Sequence, residues 1–288
     1  MKHYFSPGIR YMLLASFLFS VMNLLVKLVP RLPAEELVFF RSVISLVICL
    51  VMLRRAGITP WGTHKALLIG RGAAGAVALI TFFVTLQHIP LASAVTIQYL
   101  SPIFTTLLGV LLVRERVFWV QLLFFAMAFG GVLLVKGYDP RVNDTFLLLG
   151  ICSAFFSGLA YNAIRRMGKR EHPLVIVLYF PLVTLPITGA WLLLTWVQPQ
   201  GLEWLYLLAI GVLTQFAQYY MTLAFQAEEL SKVSSVQYMG ILYALLFGWV
   251  FFAEHFTFFS YLGMLLVLLG VILNIWYKSR RQPAAAKG

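Results

Sequence analysis

Ten apolar runs, each long enough to cross a lipid bilayer, follow one another along this chain with short polar links between them. A spanning helix needs about 20 residues, because each residue rises about 1.5 Å through a hydrocarbon layer about 30 Å thick. The runs fall at 9–29, 34–53, 66–87, 92–113, 117–136, 146–166, 173–196, 203–225, 232–252 and 257–277. They are continuous, as in Leu122–Val135 and Leu262–Leu273, and lack the alternation of a membrane barrel strand. Pro30 and Pro33, Pro60 and Gly62, Pro90, Gly137 to Asp144, and Pro199 to Gly201 separate them. Trp61, Trp119, Trp196, Trp204, Trp276 and Tyr277 stand near run ends, as interfacial anchors do. Every backbone polar group in lipid must be satisfied within its own segment, so the runs predict an all-α integral membrane protein of ten transmembrane helices.

Charge leads to the same place. Only 11% of the 288 residues are charged and 61% are hydrophobic, whereas a soluble domain carries about 25% charged residues. The lipid bilayer is therefore the main partner of the surface. The net charge of +12 does not point to nucleic acid, because the basic residues lie between the apolar runs. With a cytoplasmic N-terminus, the inner segments hold 16 of the 22 Lys and Arg residues, and the outer links hold three, Arg31, Lys136 and Arg141. That bias predicts that both N- and C-termini are cytoplasmic and that the number of spans is even. Cys49 and Cys152 each lie alone inside an apolar run, so neither a disulfide framework nor a cysteine metal site is expected. Lys2 and Arg10 before an apolar stretch imitate a signal peptide. No small-residue cleavage pattern follows, and Asn23 and Lys27 interrupt the run, so it is predicted to stay as the first span.

The chain repeats itself. At an offset of 139, Gln98-Tyr99 falls on Gln237-Tyr238, Gly109 on Gly248, Glu115 on Glu254 and Gly131-Val132 on Gly270-Val271. At an offset of 137, Thr85-Leu86 falls on Thr222-Leu223. The expected units are 1–140 and 141–288. Each holds five spans, an odd number, so the two five-helix repeats are predicted to be inverted in the membrane. Inverted repeats recur in carriers that bind substrate at the repeat interface and rock one half against the other.

The segments Pro90-Leu-Ala-Ser-Ala, Pro102, Gly109, Glu115 and Gly131, followed by Gly248, Glu254 and Gly270, resemble the EamA-like family of the drug/metabolite transporter superfamily over essentially the whole chain. The resemblance implies a multi-pass transporter of the bacterial inner membrane, handling a small metabolite such as an amino acid or a related carboxylate or zwitterion. A nucleoside-like or cationic compound is the alternative substrate class, with a channel or sensor behind it. In the second half Glu228-Glu229-Leu replaces Pro90-Leu, so the turn departs from the pattern.

Polar side chains inside spans should face the protein interior. Ser16, Ser20, Asn23 and Lys27 form one stripe on span one, Arg41 and Ser45 share a face of span two, and Thr81 and Thr85 a face of span three. Ser153, Ser157 and Tyr161 stripe span six; Gln215, Gln218, Tyr219 and Thr222 stripe span eight; Ser231, Ser234, Ser235 and Tyr238 stripe span nine. Spans five and ten carry almost nothing polar, Gln121 and Asn274 being the exceptions, so they are expected to pack outside a cavity that the other eight line or support. The candidate substrate-contacting set is Asn23, Lys27, Arg41, Thr81, Thr85, Gln98, Tyr99, Tyr161, Gln215, Gln218, Tyr219, Ser234 and Tyr238.

An intramembrane cation costs about 2.5–3.5 kcal/mol on insertion scales, and something must offset that. For Lys27 the choice lies between an anionic substrate and either snorkelling or pairing with Glu35 or Glu36. For Arg41 it lies between a carboxylate site and a structural role. Glu115 and Glu254 precede spans five and ten, where a carboxylate is expected to cap the helix N-terminus. Pro102, Pro181 and Pro186 are expected to kink their spans, and Gly70 to Ala76 to form a small-residue packing surface. No His-Glu-x-x-His, no Gly-x-Ser-x-Gly and no paired Asp occurs inside a span, so neither an enzyme, nor a metal site, nor a cofactor is expected. Oligomeric state is open between monomer and homodimer.

Overall fold

A computed structural model describes residues 6–112, 118–227 and 236–281. Its elements are α1 (Pro7–Leu28), α2 (Ala34–Arg55), α3 (Lys65–His88), α4 (Leu91–Gln98), α5 (Ser101–Leu112) and α6 (Trp119–Tyr138). They continue as α7 (Asp144–Met167), α8 (Pro173–Thr195), α9 (Glu203–Ala227), α10 (Met239–Phe252) and α11 (Phe258–Arg281). Among the described residues nine segments are long and apolar enough to span a membrane, with α4 and α5 together forming one, and α10 is a shorter apolar helix. The predicted start of the ninth span lies outside the described residues. Helix entry follows local chemistry. Asn143 Oδ1 accepts from Phe146 N at 3.0 Å, and Pro7 and Pro173 open α1 and α8, where a missing N–H costs nothing.

The helices pair twice in the same way. α1 packs along α9 as α7 packs along α3; α2 meets α9 as α8 meets α3; α2 and α8 meet each other. Exchanging the first five spans for the second five converts each contact into its mate, which is the signature of two inverted repeats. α6 and α11 lie mainly against one another, apart from the rest. A Cβ on Gly131 would stand 2.5 Å from the Gly263 carbonyl oxygen, and one on Gly263 would stand 2.6 Å from that of Gly131. Only glycines allow this backbone approach, the usual device for tight helix pairs in lipid. Gln121 Nε2 donates to Asn274 Oδ1 at 2.7 Å in the same seam, so the polar exceptions of spans five and ten satisfy each other.

Span four is broken rather than merely kinked. Pro102 has no N–H to offer the Gln98 carbonyl, and the helix stops at Tyr99 and restarts at Ser101. The second half interrupts its helix at Tyr238, the repeat mate of Tyr99, although Ile241 stands where Pro102 would be. Through α8 the backbone stays helical past both Pro181 and Pro186.

One end of the bundle carries the links 29–33, 89–90, 139–143, 196–202 and 253–257, and polar contacts tie these together. Gln87 Nε2 donates to the Leu32 carbonyl at 2.8 Å, Val197 N to Glu36 Oε2 at 3.0 Å, and Arg141 Nη2 to the His255 carbonyl at 2.9 Å. Arg31 pairs with Glu203. At the opposite end, Thr63 Oγ1 and the His64 backbone N–H donate to Glu171 Oε1 at 2.5 and 2.7 Å. Burial pushes the Glu171 carboxyl up, but these hydrogen bonds more than offset it and hold the group below its ordinary value.

Candidate functional site

A cavity of about 140 Å³ lies at mid-depth between the halves. α1, α2, α3, α4, α7, α8 and α9 all contribute walls, together with Gln237 and Gly240. Val26, Leu86, Ile89 and Leu91, nearer the end that carries the 89–90 link, belong to the buried apolar core. Among the described residues no carboxylate lines the cavity.

Two buried cations do. Arg41 is 1% exposed and Arg71 is 4% exposed. Both lie on the ring of Phe180, with Cζ at 4.9 Å and 5.3 Å from its centre. The ring has room because α3 is thin here: a Cβ on Gly75 would stand 2.9 Å from Phe180 Cδ2. Arg71 Nη2 donates to Gln218 Oε1 at 3.1 Å. Among the described residues the Nε and Nη1 atoms of both arginines have no acceptor. A cation–π contact offsets part of a buried charge, about 2 kcal/mol when desolvated, and leaves the N–H groups unsatisfied.

The broken helices bring the repeat mates together beside these arginines. Tyr99 and Tyr238 meet edge to face, with ring centres 5.1 Å apart. Tyr99 donates its hydroxyl to the Gln237 carbonyl at 2.6 Å, whereas the buried Tyr238 hydroxyl has no partner among the described residues. Gly240 is obligatory at this crossing, since a Cβ there would fall 2.1 Å from Tyr99 Oη. Gln98 spans two hydroxyls of α7, accepting from Ser153 and donating to Ser157, each at 2.8 Å.

Of the candidate substrate-contacting set, Asn23, Arg41, Gln98, Tyr99, Tyr161 and Gln218 line this cavity, joined by the stripe residues Ser16, Ser20 and Ser157. Tyr238 stands directly behind Tyr99. The others lie elsewhere. Thr81 Oγ1 bonds the Val77 carbonyl of its own helix at 2.8 Å, and Thr85 Oγ1 bonds the Thr81 and Phe146 carbonyls at 2.8 and 3.3 Å. Gln215 accepts from Ser45, the Tyr219 ring lies tilted against Tyr220 with centres 5.7 Å apart, and Ser234 is outside the described residues.

Lys27 is not at the cavity either, and its partner is neither Glu35 nor Glu36. Its Nζ lies 3.3 Å from Glu254 Oε1 and also donates to the Ile89 carbonyl. Glu254, in turn, does not cap α11 as its position before span ten implies. Both its oxygens accept from Leu91 N, at 2.9 and 3.0 Å, so it caps α4 in the other half. A Cβ on Gly248 would stand 2.5 Å from Glu254 Oε2, so that glycine makes space for the carboxylate. Its repeat mate Glu115 lies outside the described residues.

Sequence reasoning passed over three wall residues. Arg71 is an intramembrane cation as costly as Arg41, and the cost applied to one applies to both. Gln237 is the repeat mate of Gln98. Phe180 carried no signal, because an aromatic side chain in an apolar run has no distinguishing pattern.

The EamA-like transporter family model matches this chain twice, over residues 6–137 and 145–276. The chain belongs to the EamA-like transporter family. This EamA-like chain is thus a multi-pass membrane transporter of small molecules. It is 36% identical to the pseudopaline exporter CntI of Pseudomonas aeruginosa, over 86% of this chain and 88% of that one. It is 29% identical to solute carrier family 35 member G1 of Homo sapiens, over 95% and 81% of the two chains. The riboflavin transporter of Rhizobium johnstonii is 25% identical over 97% and 94%. A solved crystal structure of 18% identity superposes with a TM-score of 0.71, covering 95% of this chain and 98% of that one, which shows the shared fold.

Proposed function

We propose that this protein carries a small polar metabolite bearing a carboxylate, an amino acid or a related carboxylate or zwitterion, across a bacterial inner membrane in the direction of export. Units 1–140 and 141–288 rock against each other around the mid-depth cavity, and both termini are cytoplasmic. The observation that carries the reading is Arg41: a guanidinium 1% exposed, on the cavity wall, with Nε and Nη1 lacking acceptors. Buried charges are paired or neutralised, and a carboxylate is the natural complement of a planar guanidinium. Gln218, Gln98, Asn23 and Tyr161 then supply neutral donors and acceptors for the rest of the solute. Lys27 has no such role, because Glu254 already neutralises it.

The test is counterflow in proteoliposomes loaded with single amino acids or organic acids. Saturable uptake stimulated by an internal carboxylate is expected, with a loss of at least tenfold in Arg41→Gln and in Gln218→Ala. Linear, unstimulated flux would mean a channel. Stimulation only by cationic or uncharged compounds would remove the carboxylate reading.

A further inference from the structure

Two guanidiniums share the cavity wall, and one carboxylate balances one of them. Arg41 and Arg71 come from different helices and converge on a single ring, 4.9 and 5.3 Å from its centre, so their separation cannot exceed those two distances combined. Both are more than nine-tenths buried, and both keep Nε and Nη1 unpartnered. Gln218 is neutral and occupies only Nη2 of Arg71. A substrate with one negative charge would leave a second buried cation uncompensated, and the two like charges would repel through a poorly screening interior.

We propose that the substrate is a dianion, with its two negative charges set against Arg41 and Arg71 on either part of the Phe180 wall. The inference rests on the carboxylate reading above and narrows it. A dicarboxylate or a phosphate monoester meets the requirement, since guanidinium groups bind either oxyanion through paired N–H donors. Neutral Gln98, Asn23 and Tyr161 then contact the uncharged body of the solute. The loaded cavity is electrically neutral, and the empty one carries two positive charges.

Thermal unfolding of the detergent-purified protein at fixed ionic strength and pH 7.5 tests this, because a ligand of the folded state raises the midpoint by an amount that grows as ln(1 + [L]/Kd), so ligand titrations give affinities. The probes are succinate and glutarate, their monoamides succinamate and glutaramate, and glycerol 3-phosphate. A dianion should bind at least tenfold more tightly than the monoamide. In Arg71→Gln that preference should fall toward unity, through loss of diacid affinity while monoamide affinity holds. Should Arg71→Gln fail to fold, Arg71→Met removes the same charge and gives the same reading. Tight binding of glycerol 3-phosphate alone supports the dianion and removes the carboxylate. Monoamides equal to diacids in the parent protein, or a preference that survives in Arg71→Gln, overturns the dianion and leaves carboxylate transport standing. No stabilisation by any of the five compounds overturns the dianion as well.

Discussion

Lys27, which is partly buried, and the fully buried pair Arg41 and Arg71 are all cations within membrane-spanning helices, yet the protein treats them in opposite ways. Lys27 is neutralised by Glu254 at 3.3 Å and held by backbone carbonyls. Its partner reaches across from the second half to cap α4 of the first. That cluster joins the two repeats at one end of the bundle. The arginines, deeper in, face a cavity with no carboxylate among the described residues. The difference teaches how to sort intramembrane charge. A charge whose partner is supplied by the fold holds the fold together, whereas one left unsatisfied beside a cavity is the kind we propose to be met by a ligand, at a cost in stability.

The comparison breaks first, and most heavily, at Glu254. Removing one member of a buried pair leaves the other uncompensated, at about 3–5 kcal/mol. Glu254→Ala should therefore lower the unfolding midpoint sharply, and Lys27→Met combined with Glu254→Gln should lower it less than Glu254→Ala does. Equal midpoints for the single and double variants would show that the pair is not what closes this end. Arg41→Met reverses the pattern. Deleting an unpaired buried charge should raise the unfolding midpoint while reducing transport at least tenfold, a change of about 1.4 kcal/mol or more in the transport step. A variant that transports normally, or that is strongly destabilised, would place Arg41 with Lys27 among structural charges.

The tyrosine mates sharpen the comparison on a finer scale. Tyr99→Phe removes a hydroxyl that donates at 2.6 Å, whereas Tyr238→Phe removes one with no partner. The first should cost about 1 kcal/mol and the second close to nothing, read by denaturation of the two variants side by side. Equal losses would mean that Tyr238 has an acceptor of its own. The smallest effect is expected at Glu171, where Thr63 and His64 hold the carboxyl below its ordinary value. A depressed carboxyl contributes stability that is fully present above its unfolded pKa and is lost as pH falls through the folded one. The midpoint should thus decline modestly between about pH 5 and pH 3, and Glu171→Gln should flatten that decline.

The span count, the two halves and the inversion were all legible without coordinates, because the bilayer imposes a length on each helix and an odd number of spans inverts its repeat. The isolation of spans five and ten was legible too, from their lack of polar residues. Thr81, Thr85 and Gln215 show where one-dimensional reasoning ends. A stripe places a side chain on the inner face of a helix, but that face meets other helices over most of its length and the cavity over only part of it.

What the sequence determined by itself is therefore the solvent, the helices and their twofold relation, since these depend on local apolarity and on self-similarity. Only the tertiary structure decided which buried charges have partners. Glu254 stands 227 positions from Lys27, and the separation of 30 positions between Arg41 and Arg71 gives no hint that both lie against Phe180. Pairing of charge is a distance in space of a few ångströms, and in a chain that crosses the membrane this often that distance is set by helix packing, not by separation along the chain.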